Sequence, residues 1–251
     1  MIIIVDLDFT LLNDEGKLTN KTIEVLKKCK QQGHKIVINS ARSYIRSIDI
    51  AKLIDADYIN CFYGNLVLDN KGNTIFSRAL DKKNTNKLIK DFQTIYNGFL
   101  AVETIDGGFT NSAEMAKRFG GVVASVQEIE QKIPFKLVFE IYEKDHDKAR
   151  KIAEKYNLAI KFAREGYFCS LLPKDTDKAN GIKKILTLKE NAGEQSIAFG
   201  DEISDLKTFE CVDVPVAMEN STQIIKESIK EKTLSNNQDG VAVYLQNVLT
   251  L

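Results

Sequence analysis

The sequence predicts an α/β protein: a mostly parallel sheet assembled from both ends of the chain, with a separate α+β segment inserted between them. Three observations lead there. Short apolar strand runs stop abruptly at polar residues, as Ile2–Val5 does at Asp6, Lys35–Asn39 at Ser40, and Ser196–Phe199 at Gly200 and Asp201. Strand and helix patterns alternate up to residue 79 and again from 173. Between them, over 80–172, strand pairs mix with helices.

In chain order, Ile2-Ile3-Ile4-Val5 reads as a strand buried on both faces. A helix over 20–32 has Ile23, Leu26 and Lys27 near one face and Gly33 as its stop. Strand 35–39 follows, then helix 43–54 with Ile45, Ile48 and Leu53 apolar, then strand 58–62. Leu66–Leu68 and Thr74–Phe76 flank Asp69-Asn70-Lys71-Gly72-Asn73, a hairpin signal. The inserted segment reads as helix 84–97, strand 99–103, a Gly107-Gly108 turn and short helices at 112–119 and 125–131. Strand 135–142, helix 145–156 and strands 158–163 and 167–172 complete it. The first pattern then resumes: helix 178–189, strand 196–199, helix 203–209, strand 214–217, helix 221–230 and helix 240–249.

Composition narrows the function. The chain has 251 residues, 43% of them hydrophobic, so a sizeable core forms. Lysine plus arginine and aspartate plus glutamate each total 35, which argues against a nucleic-acid binder that relies on bulk positive charge. Cys29, Cys61, Cys169 and Cys211 are scattered, and His34 and His146 are the only histidines, so a zinc site is not expected. Reduced thiols in a cytoplasmic protein are the simplest account. The apolar run at the start ends at Asp6 and does not read as a signal peptide, and no stretch reaches membrane-spanning length.

The chemistry concentrates at strand ends. Asp6 and Asp8, two residues apart, point the same way if strand geometry persists. Two such carboxylates repel, and a bound Mg²⁺ resolves the repulsion, because it takes oxygen ligands from one or two carboxylates and a substrate phosphate. Taken alone, the fragment fits equally well a strand that ends in a solvated acidic turn. Ser40, Lys178, and Asp201 with Asp205 then supply a hydroxyl, an ammonium and further carboxylates in chain order.

At these residues the chain resembles the haloacid dehalogenase-like (HAD) phosphohydrolases over nearly its whole length. Asp6-Leu7-Asp8-Phe9-Thr10 is similar to the family's first motif, Asp-x-Asp-x-Thr. Ser40 falls at the second motif and Lys178 at the third, and Gly200-Asp201-Glu202-Ile203-Ser204-Asp205 resembles the fourth, Gly-Asp-x-x-Asn-Asp. Ala217-Met218-Glu219-Asn220-Ser221 resembles the Ala-Met-x-Asn-Ala segment of the Cof-type subfamily, whose type IIB cap occupies the wide gap between the second and third motifs. The resemblance implies a Rossmann-like core in two parts, 1–79 and 173–251, and an inserted cap, 80–172, that sets specificity.

It also implies a Mg²⁺-dependent phosphatase acting on a small-molecule phosphate ester, with sugar phosphates as the default and neither nucleic acid nor membrane as partner. Asp6 is then the nucleophile that forms an aspartyl-phosphate, and Asp8 the acid and base. Ser40 and Lys178 bind phosphate. Asp6, the carbonyl of Asp8, Asp201 and Asp205 hold the metal. Asp205 also fits a helix-start carboxylate favoured by the dipole. Asn220 is a candidate for the substrate rim, or a helix cap or turn residue. Arg42 faces substrate or pairs with an acidic neighbour.

Several positions depart from the subfamily pattern. Phe9 and Ala41 stand where glycine is common, and Ala41 carries strain if that backbone needs positive φ. Ser204 replaces an asparagine, and Tyr63-Gly64-Asn65 replaces Asn-Gly-Ala. Phe109, Phe119, Phe162 and Tyr167 are rings that stack on a substrate or, more commonly, belong to a core. A phosphomutase of the same family and a non-catalytic phosphate-ligand sensor are the rival readings.

Overall fold

A computed structural model describes the chain apart from residues 97, 163–166 and 250–251 and the side chains of Arg118 and Phe119. The chain divides into two compact units, one made of Met1–Arg42, Arg46–Ser77 and Asp177–Leu251, the other of Ser43–Ile45 and Arg78–Thr176.

The first unit begins with β1 (Ile2–Val5), α1 (Asn20–Gln31), β2 (Lys35–Asn39), α2 (Ile48–Leu53), β3 (Tyr58–Cys61), β4 (Leu66–Asp69) and β5 (Thr74–Ser77). The four residues of β1 are 0–1% exposed. Each such side chain contributes roughly 1.5–3 kcal/mol by leaving water. The Thr19 hydroxyl caps α1 by accepting from the Thr22 N–H at 3.1 Å. Gly33, at φ +83°, turns the chain out of the helix. The face α1 buries is Thr22, Val25, Leu26 and Cys29, while Lys27 is exposed. The helix expected over 43–54 occupies only its second half. Ile45 and Leu53 are exposed, and Ala51 and Ile54 face inward instead.

The second unit holds α3 (Lys82–Gln93), β6 (Leu100–Thr104), β7 (Gly107–Thr110), α4 (Ala113–Phe119), β8 (Val122–Val123), α5 (Val126–Ile129), β9 (Lys136–Glu140), α6 (His146–Lys155), β10 (Leu158–Phe162) and β11 (Phe168–Pro173). Its sheet runs β10-β11-β9-β6-β7-β8 and is antiparallel except for the β7–β8 pair. Leu88, Ile89 and Phe92 of α3 and Ala149 and Ala153 of α6 cover one face, against Val102, Leu137, Phe139 and Leu171. Gly107 and Gly108, expected as a turn, pair within the β6–β7 hairpin, and Ile105 and Asp106 make the turn. Phe162 stacks on His146 with ring centroids 4.0 Å apart, and the Lys132 ammonium sits 3.9 Å above the Phe109 ring. Tyr167 is exposed. The ring of Phe119 and the expected element ends at 97 and 163 lie outside the described residues.

The chain then returns to the first unit as α7 (Lys178–Leu186), β12 (Ser196–Gly200), α8 (Leu206–Phe209), β13 (Val214–Met218), α9 (Gln223–Ser228), β14 (Glu231–Thr233) and α10 (Gly240–Leu249). Strand β14 had no counterpart in the sequence expectation. The sheet order is β14-β13-β12-β1-β2-β3-β4-β5, parallel from β14 to β3. Ile4 stands beside both Ala198 and Val37. From β1 the chain runs outward to β2 and β3 in one direction, while β12, β13 and β14 extend the other way. The order therefore reverses between β1 and β12, and ligands of open α/β sheets bind outside the carboxyl ends of strands at such a point. No helix among the described residues is long and apolar enough to cross a membrane.

Candidate active site

Asp6 is the first residue past β1, and the chain there winds into a wide turn. The Leu11 N–H donates to the Asp6 carbonyl at 3.2 Å, and the Leu12 N–H to the Leu7 carbonyl at 2.9 Å. This closure needs Phe9 at φ +59°, in the left-handed region. For an L-residue with a side chain that costs roughly 1–2 kcal/mol. Ala41 is not among the positive-φ residues, so the strain foreseen at Ala41 falls on Phe9 instead.

The turn, the segment after β12 and the start of α7 bring four charges together. The Lys178 ammonium lies 2.9 Å from Asp6 Oδ1 and 2.9 Å from Asp205 Oδ1, and all three residues are buried. Asp205 Oδ2 accepts from the backbone N–H groups of Asp201 and Glu202, each at 3.2 Å. The Thr10 hydroxyl donates to Asp201 Oδ1 at 2.8 Å. Thr10 was not singled out as a site residue, although its place in the first motif was the signal for it.

One lysine does not balance three buried carboxylates. Burial pushes the Asp6 carboxyl well above the ordinary carboxylate range; Lys178 pulls it back, while Asp205 and Asp201 add to the rise. Burial likewise pushes Asp201 up to about 7, against the Thr10 hydrogen bond and with the help of Asp205 and Glu202. Burial disfavours the Lys178 charge, but Asp205 and Asp6 outweigh it and hold its pKa above the ordinary value. Asp6, Asp201 and Asp205 each offer one oxygen, and the three oxygens lie within 4.8 Å of one another. A buried, oxygen-only, electron-rich set that lacks positive charge fits a hard divalent cation such as Mg²⁺.

Asp8 stands apart from this group. Its side chain is 47% exposed, and Arg42 grips both its oxygens, Nε on Oδ2 at 2.9 Å and Nη2 on Oδ1 at 2.5 Å. Arg42 thus has an acidic partner, as one of the two expectations held. Ser40 is fully buried at the end of β2, where its Oγ accepts from the Arg42 N–H at 3.1 Å and keeps its own proton to donate. Asn220 is engaged at both ends: its Nδ2 donates to the Phe9 carbonyl at 2.7 Å, and its Oδ1 accepts from the Asn236 N–H at 3.0 Å. It braces the turn.

Two asparagines set Lys178 in place. Asn60 Nδ2 donates to Asn39 Oδ1 and to the Lys178 carbonyl, both at 2.7 Å, and Asn39 Nδ2 donates to the Thr208 hydroxyl at 3.1 Å. Asn39 ends β2 and Asn60 is the last residue but one of β3, both buried polar residues in apolar strands, a signal that pointed to them unread. Gly64, at φ +86°, packs so closely on α7 that a Cβ there would lie 2.1 Å from the Asp177 carbonyl oxygen. Gly64, the middle residue of Tyr63-Gly64-Asn65, therefore packs against the lysine-bearing helix start.

Comparison with known proteins places the chain among relatives. The family model described as haloacid dehalogenase-like hydrolase matches residues 3–245. A Buchnera aphidicola protein provisionally named a phosphatase is 29% identical, over 98% of this chain and 96% of its own. A Bacillus subtilis 5-amino-6-(5-phospho-D-ribitylamino)uracil phosphatase is 23% identical, over 100% of this chain and 98% of its own. The solved structure of a sugar phosphatase of HAD subclass IIB superposes with a TM-score of 0.81 at 18% identity, covering 100% of this chain and 99% of that one. With a family model spanning nearly every residue, the chain belongs to the haloacid dehalogenase-like hydrolases.

Proposed function

We propose that the protein is a Mg²⁺-dependent phosphatase that hydrolyses small phosphomonoesters, sugar and sugar-alcohol phosphates foremost, through an aspartyl-phosphate on Asp6. The observation that carries this reading is the buried contact of Asp6 with Lys178 beside Asp201 and Asp205. The names of the ribityl-phosphate and sugar phosphatases among the similar proteins support the substrate class.

In the first step an Asp6 oxygen attacks phosphorus, and the bond from phosphorus to the ester oxygen breaks. Asp8 gives its proton to the departing alkoxide. With both Asp8 oxygens held by Arg42, neither is free to carry that proton, so Arg42 releases one of them for this step. In the second step Asp8 takes a proton from water as the water oxygen attacks phosphorus. The bond from phosphorus to Asp6 breaks, which frees inorganic phosphate and restores the carboxylate. Lys178 and Ser40 hold non-bridging phosphate oxygens, Lys178 also offsetting charge on Asp6. Asp6, the Asp8 carbonyl, Asp201 and Asp205 would hold Mg²⁺, which would supply positive charge to offset the repulsion between a phosphate dianion and the Asp6 carboxylate. The unit spanning Arg78–Thr176 acts as the cap that selects the substrate.

The test is phosphate release from a panel of phosphomonoesters with and without Mg²⁺, for the parent and Asp6→Asn. Turnover that needs Mg²⁺ and drops at least about 10⁴-fold in a folded Asp6→Asn protein is expected. Transfer of phosphate to a hexose phosphate rather than to water would replace this reading with the mutase, and Mg²⁺ binding without turnover would replace it with the sensor.

A further inference from the structure

We infer that Phe9 is a specificity-determining contact, which favours esters whose leaving group presents a ring face over esters of short acyclic alcohols. The inference rests on the hydrolase reading above. Three observations meet at this residue. Its backbone is held at φ +59°, where a glycine would incur no cost, so the ring is retained against a local penalty. The ring does not repay that penalty by burial, being 48% exposed. The turn is secured from outside the ring: Asn220 holds the Phe9 carbonyl, and Asn236 holds both Asn220 and, through its Nδ2 at 3.0 Å, the Leu12 carbonyl. The side chain is thus dispensable for fixing the loop.

A single exposed phenylalanine is ordinary on a protein surface. Phe9 differs because its chain neighbours are Asp8, which protonates the leaving group, and Thr10, which holds Asp201. The buried charges address the phosphoryl group, which is the same in every substrate. On the open side, next to the acid, an apolar ring meets the part of the ester that varies. Aromatic rings gain most against flat faces, by offset stacking or through C–H groups directed at the ring. Ring-bearing leaving groups therefore bind there better than glycerol-like ones.

The experiment compares kcat/KM for glucose 6-phosphate and glycerol 1-phosphate in the parent, Phe9→Gly and Phe9→Trp, with inhibition by inorganic phosphate as a reference. Phe9→Gly is expected to fold at least as stably, because it relieves the positive φ. It should lower the ratio of ring to acyclic ester by about tenfold, from lost stacking and apolar contact. Phe9→Trp should keep or raise the ratio, and inhibition by inorganic phosphate should be unchanged in all three. A ratio that stays within about twofold in Phe9→Gly, or a parent that prefers the acyclic ester, overturns the assignment of Phe9 and leaves the hydrolase reading intact. A parent with no turnover on either ester, or on any other phosphomonoester, overturns both.

Discussion

The two halves of the site differ in how tightly they are held. On one side Asp6, Lys178, Asp201 and Asp205 are 5% exposed or less, and each has a fixed hydrogen-bond or ion-pair partner. On the other, Asp8 and Phe9 are half exposed, and Asp8 is gripped by Arg42. In the proposed mechanism the first half deals with what all phosphomonoesters share, a compact dianion that needs fixed positive charge and no water. The second would deal with what differs between them and move a proton, tasks that suit an open, exchangeable surface. Low-dielectric burial strengthens every charge interaction on the first side, which makes it costly to break.

The comparison is broken most severely at Lys178. Lys178→Met leaves Asp6 and Asp205 buried without their cation. We expect a loss of about 3–5 kcal/mol of stability in urea titrations without metal. We also expect kcat to fall by about a thousandfold. Added Mg²⁺ should restore part of the stability and little of the rate. Unchanged urea midpoints would mean the buried half is not held by this ion pair.

Next comes pH. Asp201 has its pKa raised from 3.8 to about 7, so the folded, metal-free protein binds a proton there more tightly than the unfolded chain does. Stability from this group is full below its unfolded pKa of about 4 and is lost as pH rises to about 7, at no more than about 1.4 kcal/mol per pH unit. Asp6 acts in the same direction. Mg²⁺ must displace that proton, so its affinity should rise up to about tenfold per pH unit below pH 7 and level off above it. Calorimetry in buffers of different ionisation enthalpy reads the released proton, and affinity flat from about pH 5.5 to 7 would refute the linkage.

The open half should answer more mildly. Arg42→Met frees Asp8 from its orientation and should lower kcat by about tenfold for an alkyl phosphate. The loss should be smaller for 4-nitrophenyl phosphate, whose leaving group needs little protonation. Equal losses on both esters would assign Arg42 to the phosphate rather than to Asp8. Asn220→Ala removes two hydrogen bonds from the turn and should cost about 1–2 kcal/mol of stability, with Mg²⁺ affinity in calorimetry unchanged.

What was legible in the sequence follows from the same physics. Parallel strands buried on both faces are continuous apolar runs, so Ile2–Val5, Lys35–Asn39 and Ser196–Phe199 stood out, and the candidate site residues followed at their ends. Strand β14, Glu-Lys-Thr at the sheet edge, has neither an apolar run nor alternation, and only its pairing with Val216–Met218 makes it a strand. The helix expected from 43 starts at Ile48, because the preceding residues are still in turns and bends beyond the end of β2. Strain was sought at Ala41 because glycine is common there, but backbone φ depends on how the loop closes, and the wide turn after Asp6 placed it on Phe9. The grip of Arg42 on Asp8 joins residues thirty-four apart, and no local pattern records such a contact.

The pairing of β1 sets an order on events during synthesis. One edge of this wholly apolar strand pairs with Lys35–Ile38, made soon after it, and the other with Ser196–Phe199. At about 5–20 residues per second, the second edge stays open for roughly 10–40 s while the intervening chain is made. An open apolar edge is a template for pairing with other chains. The nascent chain is therefore most vulnerable to association just before β12 emerges, and a ribosome that stalls within residues 78–176 would prolong that exposure without altering the stability of the finished fold.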